Sequence, residues 1–149
     1  MGSLTLPSAG PIYLDANGFI YSVERIEPYR TMLEPLWRLA QAGQFEIVSS
    51  ELVILETLVK PLREQDTLLE NVFRALLFAR EVRLLQATAS LWEQAARIRA
   101  KTGLKTPDAL HAATALAVES TLFVTNDGGF RRVSGLPVAI LNEAAQSES

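Results

Sequence analysis

"TPDALHAATALAVESTLFVTNDGGF", residues 106–130, sets an acid at each end of one helix–strand unit. Thr106 is placed to cap a helix, Pro107 suits its first turn, and Asp108 sits just inside it. From Ala109 to Val118 the residues are almost all small and apolar, which predicts a helix packed on most sides. The strand "TLFVT" follows and runs out at Asn126 and Asp127. A helix that leads into a strand begins at the edge where that strand ends. Asp108 and Asp127 therefore belong to the same edge of a sheet, the carboxyl edge. Taken alone, Asp108 needs no more than the helix dipole to explain it, a contribution of about 0.3–1 kcal/mol.

Working outward, the same alternation fills the chain. "PIYLDAN" (11–17) reads as a strand, Ile12 to Leu14, that stops at Asp15, and "GFIYSVER" begins helical structure. Residues 29–43 carry helical spacing at Met32, Leu33, Leu36, Leu39 and Ala40, with Gly43 as the stop. Phe45 to Val48 forms a second strand, and Ser49 or Ser50 caps the helix "ELVILETLVK", which Pro61 ends. An amphipathic helix over 64–80, a strand within "EVRLLQA" (81–87), and a helix from the Thr88 cap to the Gly103 stop come next. "LPVAIL" (136–141) supplies a fifth strand. Strands alternating with helices imply an α/β protein, a three-layer α/β/α sandwich around a parallel sheet of about five strands. Residues 1–10 read as a flexible leader, 11–142 as one domain and 143–149 as a polar tail.

Composition narrows the chemistry. The chain has 149 residues, of which 48% are hydrophobic, enough for a proper core. No apolar run approaches the eighteen residues of a membrane span, and the N-terminus lacks a secretory pattern, so a cytoplasmic protein is expected. There is no cysteine, which excludes disulfides and thiolate chemistry, and the single histidine, His111, excludes a multi-histidine zinc site. The net charge of −3 argues against a general nucleic-acid coat, so any nucleic acid would have to be gripped locally.

The acids are the informative charges. In an open α/β sheet, sites form outside the carboxyl ends of the strands. Asp15 follows the first strand, Asp127 follows the fourth, and Asp108 opens the helix feeding the fourth. Glu56 lies on the helix after the second strand, among Ile54, Leu55, Thr57 and Leu58. It is either on a narrow solvent-facing stripe or turned into a shared site. Four carboxylates at one edge would repel strongly in a low dielectric unless a cation joined them. Hard divalent ions such as Mg²⁺ or Mn²⁺ take oxygen ligands. Asn17 and Asn126 could add neutral oxygens, and Gly128 and Gly129 let the loop turn tightly. Each acid also has a plain reading: a strand-end turn for Asp15, a solvated position for Glu56, an Asx turn for Asp127.

The stretches "YLDANGFIYSVE", "IVSSELVILETLV", "LKTPDALHAATAL" and "FVTNDGGFRRV" resemble, in order and spacing, the PIN-domain ribonucleases, and most closely the VapBC-type toxins of toxin–antitoxin pairs. The resemblance spans about residues 11 to 141. It implies a PIN-like α/β/α fold, Mg²⁺ or Mn²⁺ dependence, endonucleolytic cleavage of RNA and a cognate antitoxin. The family's acids fall on Asp15, Glu56, Asp108 and Asp127, with Asn17 as companion of the first. Two positions depart from the pattern: Ala16 stands where a hydroxyl residue is common, and Gly129 where an acid often precedes the phenylalanine.

On this reading Asp15, Asp108 and Asp127 are the expected metal ligands. Glu56 is a further ligand or orients the attacking water. Products would carry 5′-phosphate and 3′-hydroxyl ends. Lys105, Arg131 and Arg132 either hold phosphates or are ordinary surface charge. His111 touches RNA, bonds an acid or is structural. Trp37, Phe73 and Trp92 read as core or interface. The leucine-rich helices from 64 to 101 suggest a homodimer or a groove for an antitoxin peptide, whose arginine could replace the metal's charge. A haloacid-dehalogenase-type hydrolase fits poorly, because Asn17 stands where its second acid belongs, and a receiver domain fits less well still. A catalytically weak or inactive PIN-fold scaffold is the non-enzymatic alternative.

Overall fold

The sheet is built from short apolar runs whose successive side chains point to opposite faces. A computed structural model describes residues 2–146. Its five strands are β1 (Ile12–Leu14), β2 (Ile47–Ser50), β3 (Val82–Leu85), β4 (Leu122–Thr125) and β5 (Val138–Ile140), all parallel, in the order β3-β2-β1-β4-β5. Parallel neighbours need crossovers, and helices provide them: α1 (Ala16–Val23), α2 (Tyr29–Gln41), α3 (Leu52–Arg63), α4 (Thr67–Leu77), α5 (Ala89–Thr102) and α6 (Thr106–Ala117). A short 3₁₀ turn (Gly128–Arg132) and α7 (Leu141–Gln146) complete the fold.

Alternation along the strands divides the core in two. Ile12, Leu14, Ile47 and Val124 face a cluster with Phe19, Leu33, Leu36, Trp37 and Leu77 from α1, α2 and α4. Tyr13, Val48 and Phe123 face the other side, against Ala95 and Ile98 of α5 and the alanines of α6. Helix α6 is buried as its composition implies: Ala109, Ala112, Ala113 and Ala115 are all fully buried, and their small side chains let α5 and the sheet approach closely. No helix is long and apolar enough to cross a membrane among the described residues.

Several local expectations are corrected. Strand β2 starts two residues later than Phe45 and takes in Ser49 and Ser50, both buried. Their hydroxyls are satisfied: Ser49 Oγ donates to the Leu14 carbonyl (2.6 Å), and Ser50 Oγ accepts from the Leu52 amide (3.1 Å). Pro61 does not end α3, which runs on to Arg63 with the ring buried. Thr106 does not cap α6. Lys105 is the cap residue, and Thr106 Oγ1 instead accepts from Arg99 Nη1 (3.1 Å). Thr88 and Gly103 bound α5 as expected, by a cap onto the Leu91 amide and a left-handed glycine. The leader expected over 1–10 is packed: Leu4 and Leu6 lie on the first cluster, and the Ser8 and Ala9 carbonyls accept from Gln44 and Thr121. Met1 lies outside the described residues. The polar tail expected from 143 begins inside α7, where Ala144 and Ala145 pack on the core; residues 147–149 lie outside the described set.

Gly18 shows how tightly β1 and α1 meet. A Cβ there would fall 2.2 Å from Leu14 Cδ1 and 2.5 Å from Cγ, and Leu14 is fully buried. Gly18→Ala is expected to cost about 1–3 kcal/mol, as overpacking does. Thermal unfolding should show a fall of roughly 2–4 °C per kcal/mol in a chain of this size. An unchanged melting temperature would mean that Leu14 can step aside.

Candidate active site

The sheet order reverses direction between β1 and β4, because the chain builds β2 and β3 on one side of β1 and then returns to place β4 and β5 on the other. In open α/β sheets, ligand sites form beyond the carboxyl ends at such a switch point. Asp15 stands at the end of β1, and Asp127 lies two residues past β4. Helix α6 starts at the same edge with Asp108 in its first turn, and α3, leaving β2 there, carries Glu56.

Asp15 is the deepest of the four, 6% exposed. It caps α1: Oδ1 accepts from the Gly18 amide (3.3 Å), while Oδ2 accepts from Thr125 Oγ1 (2.6 Å). Burial pushes its carboxyl above the ordinary aspartate range. The Thr125 bond, His111 and the Gly18 bond partly offset this, and Glu56 adds repulsion. Asp108, half-buried, is likewise raised, first by burial and then by repulsion from Asp127 and Glu56, against the pull of His111 and Lys105. The acids thus feel one another across the edge. Asp127 is exposed; its Oδ1 accepts from the Gly129 amide (2.8 Å), and its own amide donates to Thr125 Oγ1 (3.1 Å). Thr125 therefore ties Asp15 to Asp127 through one hydroxyl.

Glu56 is turned inward rather than onto a solvent stripe. Its Oε1 lies 2.8 Å from His111 Nε2, and His111 Nδ1 lies 2.6 Å from the Tyr13 hydroxyl. His111 is 2% exposed, so it bonds an acid and does not face solvent. Burial pushes the Tyr13 phenol up, keeping it protonated. Tyr13 and Thr125 were not singled out from the sequence. The available signals were a polar-tipped ring two residues before Asp15 in a buried strand and a hydroxyl two residues before Asp127.

The expected supporting residues are distributed differently. Asn17 is exposed. Asn126 is engaged at both ends, donating to the Tyr21 hydroxyl (3.2 Å) and accepting from the Asn142 amide (2.8 Å), so it fastens β4 to α1 and α7. Arg131 is paired at two atoms with Glu143 (2.6 Å each), and Arg132 donates to the Thr102 carbonyl (2.6 Å). Both hold the 3₁₀ turn in place. Lys105, exposed beside Asp108, remains at the edge. A side chain at position 129 would press on Arg132 (3.0 Å) and Asp127 Oδ1 (3.1 Å), which would have to give by a few tenths of an ångström.

An all-oxygen set of carboxylates with repulsion left between its members suits a hard divalent cation. Among the described residues no three Asp, Glu or His side chains form a ready-made cation cage. Asp15, Asp127 and Glu56 each lean on a local partner, leaving oxygen lone pairs at the edge.

A family model described as the PIN domain matches residues 12–136. The chain belongs to the PIN domain family. None of the curated proteins matches the sequence significantly. Among solved structures, the PIN fold here is similar to VapBC2 from Rickettsia felis bound to a DNA fragment from its promoter (TM-score 0.69, 19% identity, 87% of this chain and 97% of that one). It is similar also to VapC20 of Mycobacterium tuberculosis, a sarcin-ricin loop cleaving toxin (0.67, 19%, 84% and 95%), and to FitAcB from Neisseria gonorrhoeae (0.63, 20%, 85% and 95%).

Proposed function

We propose that this PIN protein is a metal-dependent endoribonuclease of the cytoplasm and the toxin of a toxin–antitoxin pair. The observation that carries the reading is the convergence of Asp15, Glu56, Asp108 and Asp127 at the switch point of the sheet, with the carboxyl groups of Asp15 and Asp108 both raised. The likeness to VapC20 and the VapBC complexes supports it.

Asp15, Asp108 and Asp127 would hold Mg²⁺ or Mn²⁺, which when bound would supply positive charge to the phosphodiester and make a bound water more acidic. Asp15 is fixed for this by Thr125 and the α1 amide, Asp127 by its turn, and Asp108 by a rigid buried helix. Glu56 joins the ligands or holds the attacking water. Lys105 is placed to meet a phosphate. RNA is gripped locally, consistent with the acidic net charge.

The antitoxin is a separate protein that covers apolar surface. Leu68, Phe78 and Trp92 remain 77%, 60% and 46% exposed, whereas Trp37 and Phe73 are core. A cavity of about 500 Å³ opens between α1, α2 and α4, lined by Arg25, Arg30, Trp37 and Val72 among others, away from the acids. A homodimer would also cover part of this surface.

Expression of the chain alone in a bacterial host tests the reading. Growth arrest is expected, with new RNA 5′ ends that ligate directly to an adaptor, as 5′-phosphates do. Unaltered RNA ends with abundant folded protein would favour the scaffold alternative.

A further inference from the structure

We propose that His111 is a positioning residue: locked in one tautomer by the Tyr13 hydroxyl, its imidazole donates from Nε2 to Glu56 Oε1 and fixes that carboxylate at the acid edge. The inference rests on reading that edge as the nuclease site. Three elements meet in this chain of bonds: β1 gives Tyr13, α6 gives His111 and α3 gives Glu56.

The Tyr13 hydroxyl, protonated at neutral pH, lies 2.6 Å from Nδ1, and in this proposal it is the donor to a neutral imidazole. The ring proton then sits on Nε2, directed at Glu56. The Tyr13 ring is itself held, stacked on Phe123 at 5.0 Å and 8°, and meets the imidazole edge-on at 5.7 Å. One oxygen of Glu56 is thereby committed to His111. The other keeps its lone pairs for the site. His111 is 2% exposed, and burying an imidazole costs free energy unless its ring nitrogens are bonded. Tyr13 and Glu56 provide those bonds, and the one to Glu56 reaches the acid edge.

The chain holds a single histidine, so ¹⁵N-labelled histidine gives one imidazole in the NMR spectrum. The expected spectrum shows protonated Nε2 and unprotonated Nδ1. The Nε2–H resonance should lie downfield and move upfield in Glu56→Gln, which weakens a charge-assisted bond. It should also shift when Mg²⁺ is added. Tyr13→Phe should release the tautomer preference. In cleavage assays, His111→Leu is expected to lower kcat about 10- to 100-fold, the range for partners that orient a metal-site group. KM should stay within about twofold. His111→Gln, which keeps a donor near the Nε2 position, should restore most of the loss, and His111→Leu should add nothing to Glu56→Gln.

A proton on Nδ1, or an Nε2–H signal indifferent to Glu56→Gln, overturns the inference. So do additive losses or a failed rescue by glutamine. If His111→Leu does not fold, the Gln and Tyr13→Phe variants decide. A wild-type protein that cuts no RNA defeats the nuclease reading, while the NMR arm still judges His111.

Discussion

Asp15→Asn is expected to abolish RNA cleavage without weakening the fold. Asp15 is the most buried acid of the edge, and its folded-state pKa is raised chiefly by that burial. Its charge therefore serves the site at a cost to stability. Asparagine keeps the size, and one oxygen can still accept from Gly18. The Thr125 hydroxyl, which now donates to Oδ2, can instead accept from the new amide. What disappears is a negative charge that a bound metal would use. A metal worth several kcal/mol of transition-state stabilisation, once weakened, costs roughly 10²-fold or more in kcat. Cleavage of a structured RNA and thermal unfolding, measured on the same preparation, check both halves. Near-wild-type cutting would remove Asp15 from the site; a marked drop in melting temperature would show that its charge is structural.

The second large effect is on stability through the metal. Asp15 and Asp108 both have raised folded-state pKa values. The folded state then holds protons that the unfolded chain has released. Their contribution favours the fold at low pH and is lost as pH rises through the folded values, so the metal-free protein should lose stability from these groups as pH climbs above the ordinary aspartate value of about 4. A divalent cation replaces the missing protons. At one hundred times its dissociation constant a ligand stabilises by about 2.7 kcal/mol, or roughly 5–10 °C for a chain of this length. Mn²⁺ should thus raise the melting temperature at pH 7, less at pH 5 where protons compete, and much less in Asp15→Asn. An equal shift at both pH values, or in the mutant, would place the ion elsewhere.

Most of the architecture was readable because it depends on period and punctuation. The buried strands are short apolar runs, and Thr88 and Gly103 mark α5 by ordinary cap chemistry. The placing of Asp15, Asp108 and Asp127 follows from strand ends and helix starts alone. What failed depended on tertiary contacts. Pro61 continues α3 because burial against the core outweighs the lost backbone bond. Ser49 and Ser50 extend β2 because their hydroxyls find partners, the Leu14 carbonyl of β1 for Ser49 and the Leu52 amide opening α3 for Ser50. The Gly2–Gly10 segment lies on the core because Leu4 and Leu6 find room there. At the site, pairing across 98 and 55 positions links His111 to Tyr13 and Glu56, and no local pattern announces it. Arg131, Arg132 and Asn126 look like site residues by proximity to Asp127, yet each is bonded to the frame of the loop.

The central claim is that the acid edge cuts RNA with a divalent cation. It is tested most directly by incubating purified protein with structured RNA in Mg²⁺ or Mn²⁺, beside EDTA and an Asp108→Asn control. Discrete cleavage that EDTA stops and the mutant lacks is the expected result. Cleavage that survives EDTA, or that Asp108→Asn retains in full, would contradict it. So would a folded protein that neither cuts RNA nor binds Mn²⁺.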